Sequence, residues 1–489
     1  MAFSPLPYLR MSPAIIAAFL ASILILLLPA IWNGFPILFY DSGDYYLRLI
    51  DGVLNNGRSI VYGAFLGGLR YPDFWPVAIL QCAITVWTIY LVLRAHGLRN
   101  RPAALPLALL GVVTALSVFT ALAWVAGMMM PDLFAALGVL AVYLLLFKRS
   151  ALGRFERYGL VALIAFSAAA HNATLAVLLA LLAAAAVLHF WRQSLLPRAG
   201  LKQAAVAVLL SILLVPSAGL VFAGKFAWTP GGEGFVFSRL VQDGIAQRYL
   251  ADNCPDTKLK LCEVRHALPD TADDFLWHQG EQGPFAHIGG FQGGADEMRR
   301  ITLDSLVQYP WMHFTTAIGT TLTQLVSVRT GDQIDPYPKM GFTYGVLHDR
   351  ELSMRPGLEA SMQWRDKLKN VFTAVNYLHE PATLAAMVFL PLLLLLAWRR
   401  GNMRDTDWLA GTVMVALLAN AFVTGVLSNP HDRYGARLAW TAPFVWSILL
   451  VQLLVMSRSW RDIGARIFAA IGTESRLARR AATAPAKRN

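Results

Sequence analysis

Apolar residues along this chain come in blocks of roughly 17–21, separated by short basic clusters, which is the length the hydrocarbon core of a bilayer requires. Ten spans are predicted, at residues 14–31, 76–93, 103–123, 132–147, 158–170, 173–190, 203–223, 381–397, 407–427 and 438–456. The fifth is short and open to a kink or partial insertion. The first is kept as a span, because Leu28-Pro29-Ala30-Ile31-Trp32 lacks the small-residue step of a cleavage site. The expected fold class is an all-α polytopic membrane protein of about ten transmembrane helices with both termini inside.

This pattern divides the chain into four regions. A seven-span module at 1–223 carries a first outer loop at 32–75. A large extracytoplasmic region follows at 224–380, then a three-span module at 381–456 and a basic cytoplasmic tail at 457–489. Within the large region, 311–328 is moderately apolar but rich in Thr, Gln and His. If it crossed the membrane, residues 329–380 would need another span to return, and none is visible, so an interfacial or re-entrant helix is expected there.

Composition supports the membrane reading. Of 489 residues 56% are hydrophobic and 15% charged, against about 25% charged in ordinary soluble domains, and the mean hydropathy is +0.50. Charge then sets orientation. The segments assigned inside carry a net +17 and those assigned outside a net −5, with Lys148-Arg149, Arg399-Arg400 and Arg192…Arg198…Lys202 beside span ends. The basic balance therefore reports topology and contact with anionic lipid, not nucleic acid. Arg outnumbers Lys 33 to 9, a bias that suggests a bacterium of high GC content.

Cys254 and Cys262 fall together in the large outer region, where an oxidising compartment would let them pair as a disulfide. Cys82 lies within a span as a core filler. The Gly-rich pieces Gly231–Gly234 and Gly289–Gly294 lack the Lys-Ser/Thr of a phosphate loop and are read as turns. No Asp, Glu, Lys or Arg occupies the middle of a predicted span, whereas transporters that move charge place such groups near the midplane.

Candidate chemistry gathers at the outer mouth. Just past the first span stands Tyr40-Asp41-Ser42-Gly43-Asp44. Two carboxylates at this spacing share a helix face, and can share a proton, bind a divalent cation or deprotonate a hydroxyl. Alternatively Asp41 is an N-cap with Asp44 at the third helical position. Arg58 follows, a candidate to hold a lipid phosphate through its planar fork, to reach head groups, or to pair with Asp51; Tyr62 lies in the same stretch. Between the last two spans stand His431, Arg433, Tyr434 and Arg437, basic residues on the less basic side, which points to an anionic partner. The alternative is a polar loop with an internal Asp432–Arg pair. Pro131-Asp132 is helix-start chemistry, with Pro in the first position and Asp in the second. His171 is expected in a solvated turn.

These motifs resemble those of the GT-C class of polytopic glycosyltransferases, which includes protein mannosyltransferases and lipid A aminoarabinose transferases. The resemblance rests on the first-loop acids Asp41 and Asp44, on Arg58-Ser59…Tyr62, on Pro131-Asp132 and on Arg433-Tyr434. It covers roughly residues 1–200 and the late motif, while 224–380 matches nothing in that class. It implies a polyprenyl-phosphate-linked hexose or pentose as donor, a glycan, lipid or protein acceptor, and a bacterial inner membrane location with the active face periplasmic. Asp41 or Asp44 would be the base, and Arg58 or Arg433 would hold the leaving phosphate. Many members place Asp and Glu adjacently, whereas here Ser42-Gly43 intervenes, which leaves the base and any need for a divalent cation open. Two other readings are a transporter or flippase of lipid-linked sugars and an envelope polysaccharide polymerase or ligase.

Overall fold

The computed structural model describes residues 12–456, apart from 55–56, 99–100, 193–194, 256–257, 279 and 338. The tail expected at 457–489 lies outside the described residues. The first half of the chain forms α1 (Pro13–Asn33), α2 (Tyr40–Asp51), α3 (Ile60–Gly68), α4 (Trp75–Ala95), α5 (Ala104–Phe119), α6 (Leu133–Phe147), α7 (Arg154–Ala170), α8 (Asn172–Trp191) and α9 (Arg198–Ala223). The long connection contributes α10 (Gly232–Gln242), α11 (Ala295–Gln308) and α12 (Pro310–Val326). The chain continues with α13 (Leu368–Arg399), α14 (Asp405–Leu427), α15 (Asp432–Ala439) and α16 (Thr441–Met456). Among the described residues there is no strand, only one parallel bridge between Ile37 and Met128.

The expected stretches fall on helical segments, and among the described residues seven helical units are long and apolar enough to cross a membrane: α1, α4, α8, α9, α13, α14 and the unit Asp432–Val455. The α5 and α6 helices are apolar but shorter. Every residue of α6 from Leu133 to Leu146 is buried, as expected for a helix apolar on all sides, so α6 is the axis around which the others pack. The outer helices turn Leu20, Leu24 and Leu28, Leu209 and Leu213, and Val388 and Leu392 outward. Such an apolar exterior is that of a chain crossing a bilayer several times.

Two departures from the sequence reading have physical causes. The stretch 103–123 is not one helix: α5 stops at Phe119, and Thr120 Oγ1 accepts the Leu122 N–H at 3.2 Å to start a short new turn. The helix expected at 381–397 begins at Leu368 and runs through Pro381. Its first four turns carry Lys369, Asn376, His379 and Glu380, which hide it from an apolarity pattern although His379 and Asn376 are buried. The α12 helix packs lengthwise on α14, while Trp311, Phe314, Ile318 and Leu322 form one outward apolar face.

At one end of the bundle the connections interlock. Backbone bonds Ile37 N–H to Gly127 O (3.0 Å) and Met129 N–H to Ile37 O (2.8 Å) tie the segment before α2 to the segment before α6. Gln363 closes the other side, accepting the Leu38 N–H at 3.0 Å and donating to the Leu38 carbonyl at 2.8 Å. A separate core of Phe237, Val241, Ile245, Leu250, Phe275 and Ile301 organises α10 and α11, and a disulfide joins Cys254 to Cys262. At the opposite end, Arg94 pairs with Glu156 at 2.5 Å, Arg400 with Asp407 at 2.7 Å, and Lys148 with Asp405.

The α15 helix lies so close to the chain after α12 that a Cβ on Gly435 would stand 1.8 Å from the Ser327 carbonyl oxygen. Gly319 meets nothing within 4 Å. Gly435→Ala should therefore destabilise the detergent-solubilised protein by about 1–3 kcal/mol through overpacking. Gly319→Ala should be neutral or stabilising by about 0.5–1 kcal/mol. Thermal unfolding followed by size-exclusion chromatography measures both; equal melting temperatures would contradict the close packing.

Candidate functional site

The N-terminus of α2 is built by Ser42, not by Asp41. Phe39 is the N-cap residue, and Ser42 Oγ accepts the Phe39 N–H at 2.9 Å while donating to the Met129 carbonyl at 3.0 Å. That places Asp41 in the first turn, where the helix dipole favours a carboxylate. Gly43 lets the helix close on Thr343, whose Cα would lie 2.7 Å from a Cβ at that position. The two expected carboxylates then diverge. Asp41 faces Arg58 at 2.6 Å and Arg433 at 3.4 Å, whereas Asp44 pairs with Arg48 of its own helix at 3.3 Å.

Asp132 is also not where helix-start chemistry would put it. It is the N-cap residue of α6 but makes no capping bond. With none of its side chain exposed, it stands 3.8 Å from Arg433 Nε and 3.8 Å from Arg437 Nη1. Neither carboxylate oxygen of Asp132 makes a hydrogen bond, and neither does Arg433 Nε. The void beside them, about 20 Å³, has room for about one water.

Arg437 is fully buried, donating to Asn420 Oδ1 at 2.7 and 3.2 Å and meeting His171 Nδ1 at 3.3 Å. His171 thus joins the centre instead of a solvated turn. Burial, together with Arg437, Arg433 and Arg58, drives its pKa well below the usual imidazole value. A neutral ring can accept the Arg437 N–H. The Arg433 guanidinium lies 4.0 Å from the centroid of Phe39 and 4.6 Å from that of Tyr434. For Asp41, burial alone would raise the pKa, but Arg58 and Arg433 outweigh it and hold the carboxyl below its usual range.

Three arginines, Arg58, Arg433 and Arg437, therefore face two carboxylates, Asp41 and Asp132, around a neutral histidine. These five charged groups sum to one surplus positive charge, with Asp132 and Arg437 fully buried and Asp41, Arg58 and Arg433 partly so. Arg58 Nε, like Arg433 Nε, donates to no protein acceptor. Chemically, such an arrangement can receive an anion beside an ionised carboxylate if the arginines release Asp41.

Other expected members stand apart. Tyr62 is fully buried with its hydroxyl donating to Gln81 Oε1 at 2.9 Å, which makes it a packing residue rather than a phosphate contact. Arg58 takes Asp41, and Asp51 pairs instead with Arg350 at 3.4 Å. His431 lies between Asp273 at 3.3 Å and Asp332 at 3.6 Å. Asp432 accepts the Arg329 N–H at 3.0 Å rather than a neighbouring arginine. Sequence reasoning did not select Asp332, Asp273 or Asn420. Among the described residues, no group of three His, Cys, Asp or Glu side chains is placed to hold a metal ion.

No family model, curated protein or solved structure matches the chain.

Two outcomes follow from the geometry. Replacing Asp132 by Ala leaves two buried arginines without their shared carboxylate and should cost about 3–5 kcal/mol; an unchanged melting temperature would contradict its burial between them. For His431, burial alone would lower the pKa, but the Asp273 and Asp332 carboxylates outweigh it and push it up to about 10. The unfolded value is about 6.5, so this contribution is full below pH 6.5 and is lost as pH rises through 10. The melting-temperature advantage of the parent over His431→Gln should therefore shrink between pH 7 and pH 10.5, and a constant difference would refute the ion pair.

Proposed function

We propose that this chain is a GT-C-like glycosyltransferase that moves a sugar from a polyprenyl-phosphate donor to an acceptor hydroxyl at the extracytoplasmic face of a bacterial inner membrane. The observation that carries this reading is the partly buried centre that unites Asp41 of the first connection with Arg433 of the last, at 3.4 Å, with three arginines facing two carboxylates. In this reading the chain crosses the bilayer ten times, both termini are cytoplasmic, and the end bearing the disulfide faces outward.

Arg58 and Arg433 hold the donor phosphate through planar, charge-assisted hydrogen bonds. In the present arrangement both close on Asp41, and the void beside Asp132 admits no phosphate. The incoming phosphate therefore replaces Asp41 on at least one arginine. That exchange releases the carboxylate to act as base. The acceptor oxygen attacks the anomeric carbon as its proton passes to Asp41. The bond from the anomeric carbon to the phosphate oxygen breaks, and its electron pair leaves with polyprenyl phosphate, whose charge the arginines receive. Arg437 and Asp132 position Arg433, and the neutral His171 accepts from Arg437.

A transporter would need a polar route along the bundle, and the central helix α6 is apolar on every face. A polymerase or ligase that relies on arginine and histidine would not need the Asp41 carboxylate.

The test is release of polyprenyl phosphate from polyprenyl-phosphate sugars by the protein in lipid nanodiscs. Asp41→Asn should lose about 10²–10⁴-fold in turnover, the range of a general base. Asp44→Asn should stay within several-fold of the parent, since Asp44 faces Arg48. Full turnover by Asp41→Asn would overturn the assignment, and absence of release by the parent with every donor would overturn the reading.

A further inference from the structure

A cleft of about 360 Å³ opens between the segment 329–339 and the first turns of α13. That size is at the small end of the range for small-molecule sites, about 300–1,000 Å³. Its lining differs in kind from the arginine centre. Lys339 pairs with Asp335 at 3.4 Å, Arg329 with Glu380 beside the lining at 3.6 Å, and Asp332 with His431 at 3.6 Å, while exposed Lys369 and Asp366 contribute one charge of each sign and Asp432 accepts the Arg329 N–H at 3.0 Å. Donors and acceptors are thus interleaved, with three cations and four acids in the lining and no cationic surplus to draw a phosphate. The arrangement suits a ligand whose every polar group both donates and accepts, as a sugar hydroxyl does. Tyr337, which follows lining residue Pro336, is exposed and stacks its ring on Trp364 at 4.5 Å, next to lining residue Gln363 in the chain.

The cleft also lies against the arginine centre. The strap Arg329–Asp332 with Ile334 lines both the cleft and the small void at Asp132 and Arg433. On the cleft side, Asn376 grips the strap through two 2.8 Å bonds to the backbone of Thr330. On the other side, Asp332 accepts the Arg433 N–H at 3.2 Å. Gly331 has φ +91, and a Cβ there would meet the Phe372 ring at 2.2 Å, so the strap takes this path only with glycine. The first two residues of α2 divide between the compartments: Tyr40 donates to cleft-lining Asp335 at 2.9 Å, and Asp41 turns to the arginines.

We propose that this cleft binds an uncharged polyhydroxy group, a saccharide ring, with its inner edge toward Asp41 and Arg433. The inference deepens the glycosyl-transfer reading by giving the sugar-bearing partner a place, and it rests on that reading only for its role, not for binding.

The test uses the full chain in nanodiscs and saturation-transfer NMR with the methyl glycosides of glucose, mannose, galactose, N-acetylglucosamine and arabinose. At least one glycoside should receive saturation from the parent. Thr373→Trp, which fills the cleft from an exposed position, should abolish it. Asp366→Ala with Lys369→Ala adds no bulk and should weaken binding roughly tenfold, the factor that one or two hydrogen bonds carry; it decides the matter if Thr373→Trp does not fold. Asp41→Asn should retain the transfer, since Asp41 is not needed for binding; saturation from a parent protein that itself releases no polyprenyl phosphate would sink the catalytic reading and leave the cleft standing. No transfer to any of the five, or transfer unaffected by the cleft variants, overturns the proposal.

Discussion

Asp132 stands between Arg433 and Arg437 at the head of the central helix, with no exposed surface and 3.8 Å to each. Charges withdrawn from water this far interact strongly, and their desolvation must be compensated locally. Much of the surrounding end of the bundle supplies that compensation. Asn420 takes two Arg437 bonds, His171 stays neutral and accepts a third, and Phe39 and Tyr434 cover Arg433 with their rings. The bridge between Ile37 and Met128 brings the α2 and α6 termini together so that Asp41 and Asp132 share Arg433. Without that pairing the two acids would belong to unrelated loops.

The sequence revealed the apolar helices because burial in a bilayer and burial at the bundle axis both demand uninterrupted apolar runs. It also revealed much of the charge centre, since Asp41, Arg58, Asp132, His171, Arg433 and Arg437 all map to span ends on one side. The assignment of partners was not legible. Asp41 and Asp44 look equivalent in the chain, and only the rotation of α2 set by Ser42 and Gly43 sends one to Arg58 and the other to Arg48. Tyr62 looked like a site residue because it shares a stretch with Arg58, yet its hydroxyl belongs to Gln81. Asn420 did leave a signal, as a lone amide amid the apolar residues of α14, where such a group needs a buried partner. Asp273 and Asp332 left none, because contacts across 158 and 99 residues to His431 have no periodicity to report them.

The connection between α9 and α13 is more than a linker. Its own apolar core orders α10 and α11, and Arg239 on α10 reaches Asn429 at 3.3 Å, just before His431. Arg239 is itself fixed by Asp243 at 3.2 Å. The late loop is therefore gripped from outside the bundle by Asp273 and Arg239, and from within by Gln324, which accepts the His431 N–H at 2.9 Å and donates to its carbonyl at the same distance. Arg433 follows two residues later with its direction already decided.

The strap from Arg329 to Asp332, with Ile334, is one length of backbone with a compartment on each side. A wall held in common makes the two compartments one thermodynamic system. By linkage, whatever factor occupancy of the cleft applies to the affinity of the arginine centre, occupancy of the centre applies to the cleft in return. Two ligands meeting across such a wall are described by their separate affinities and one shared coupling constant.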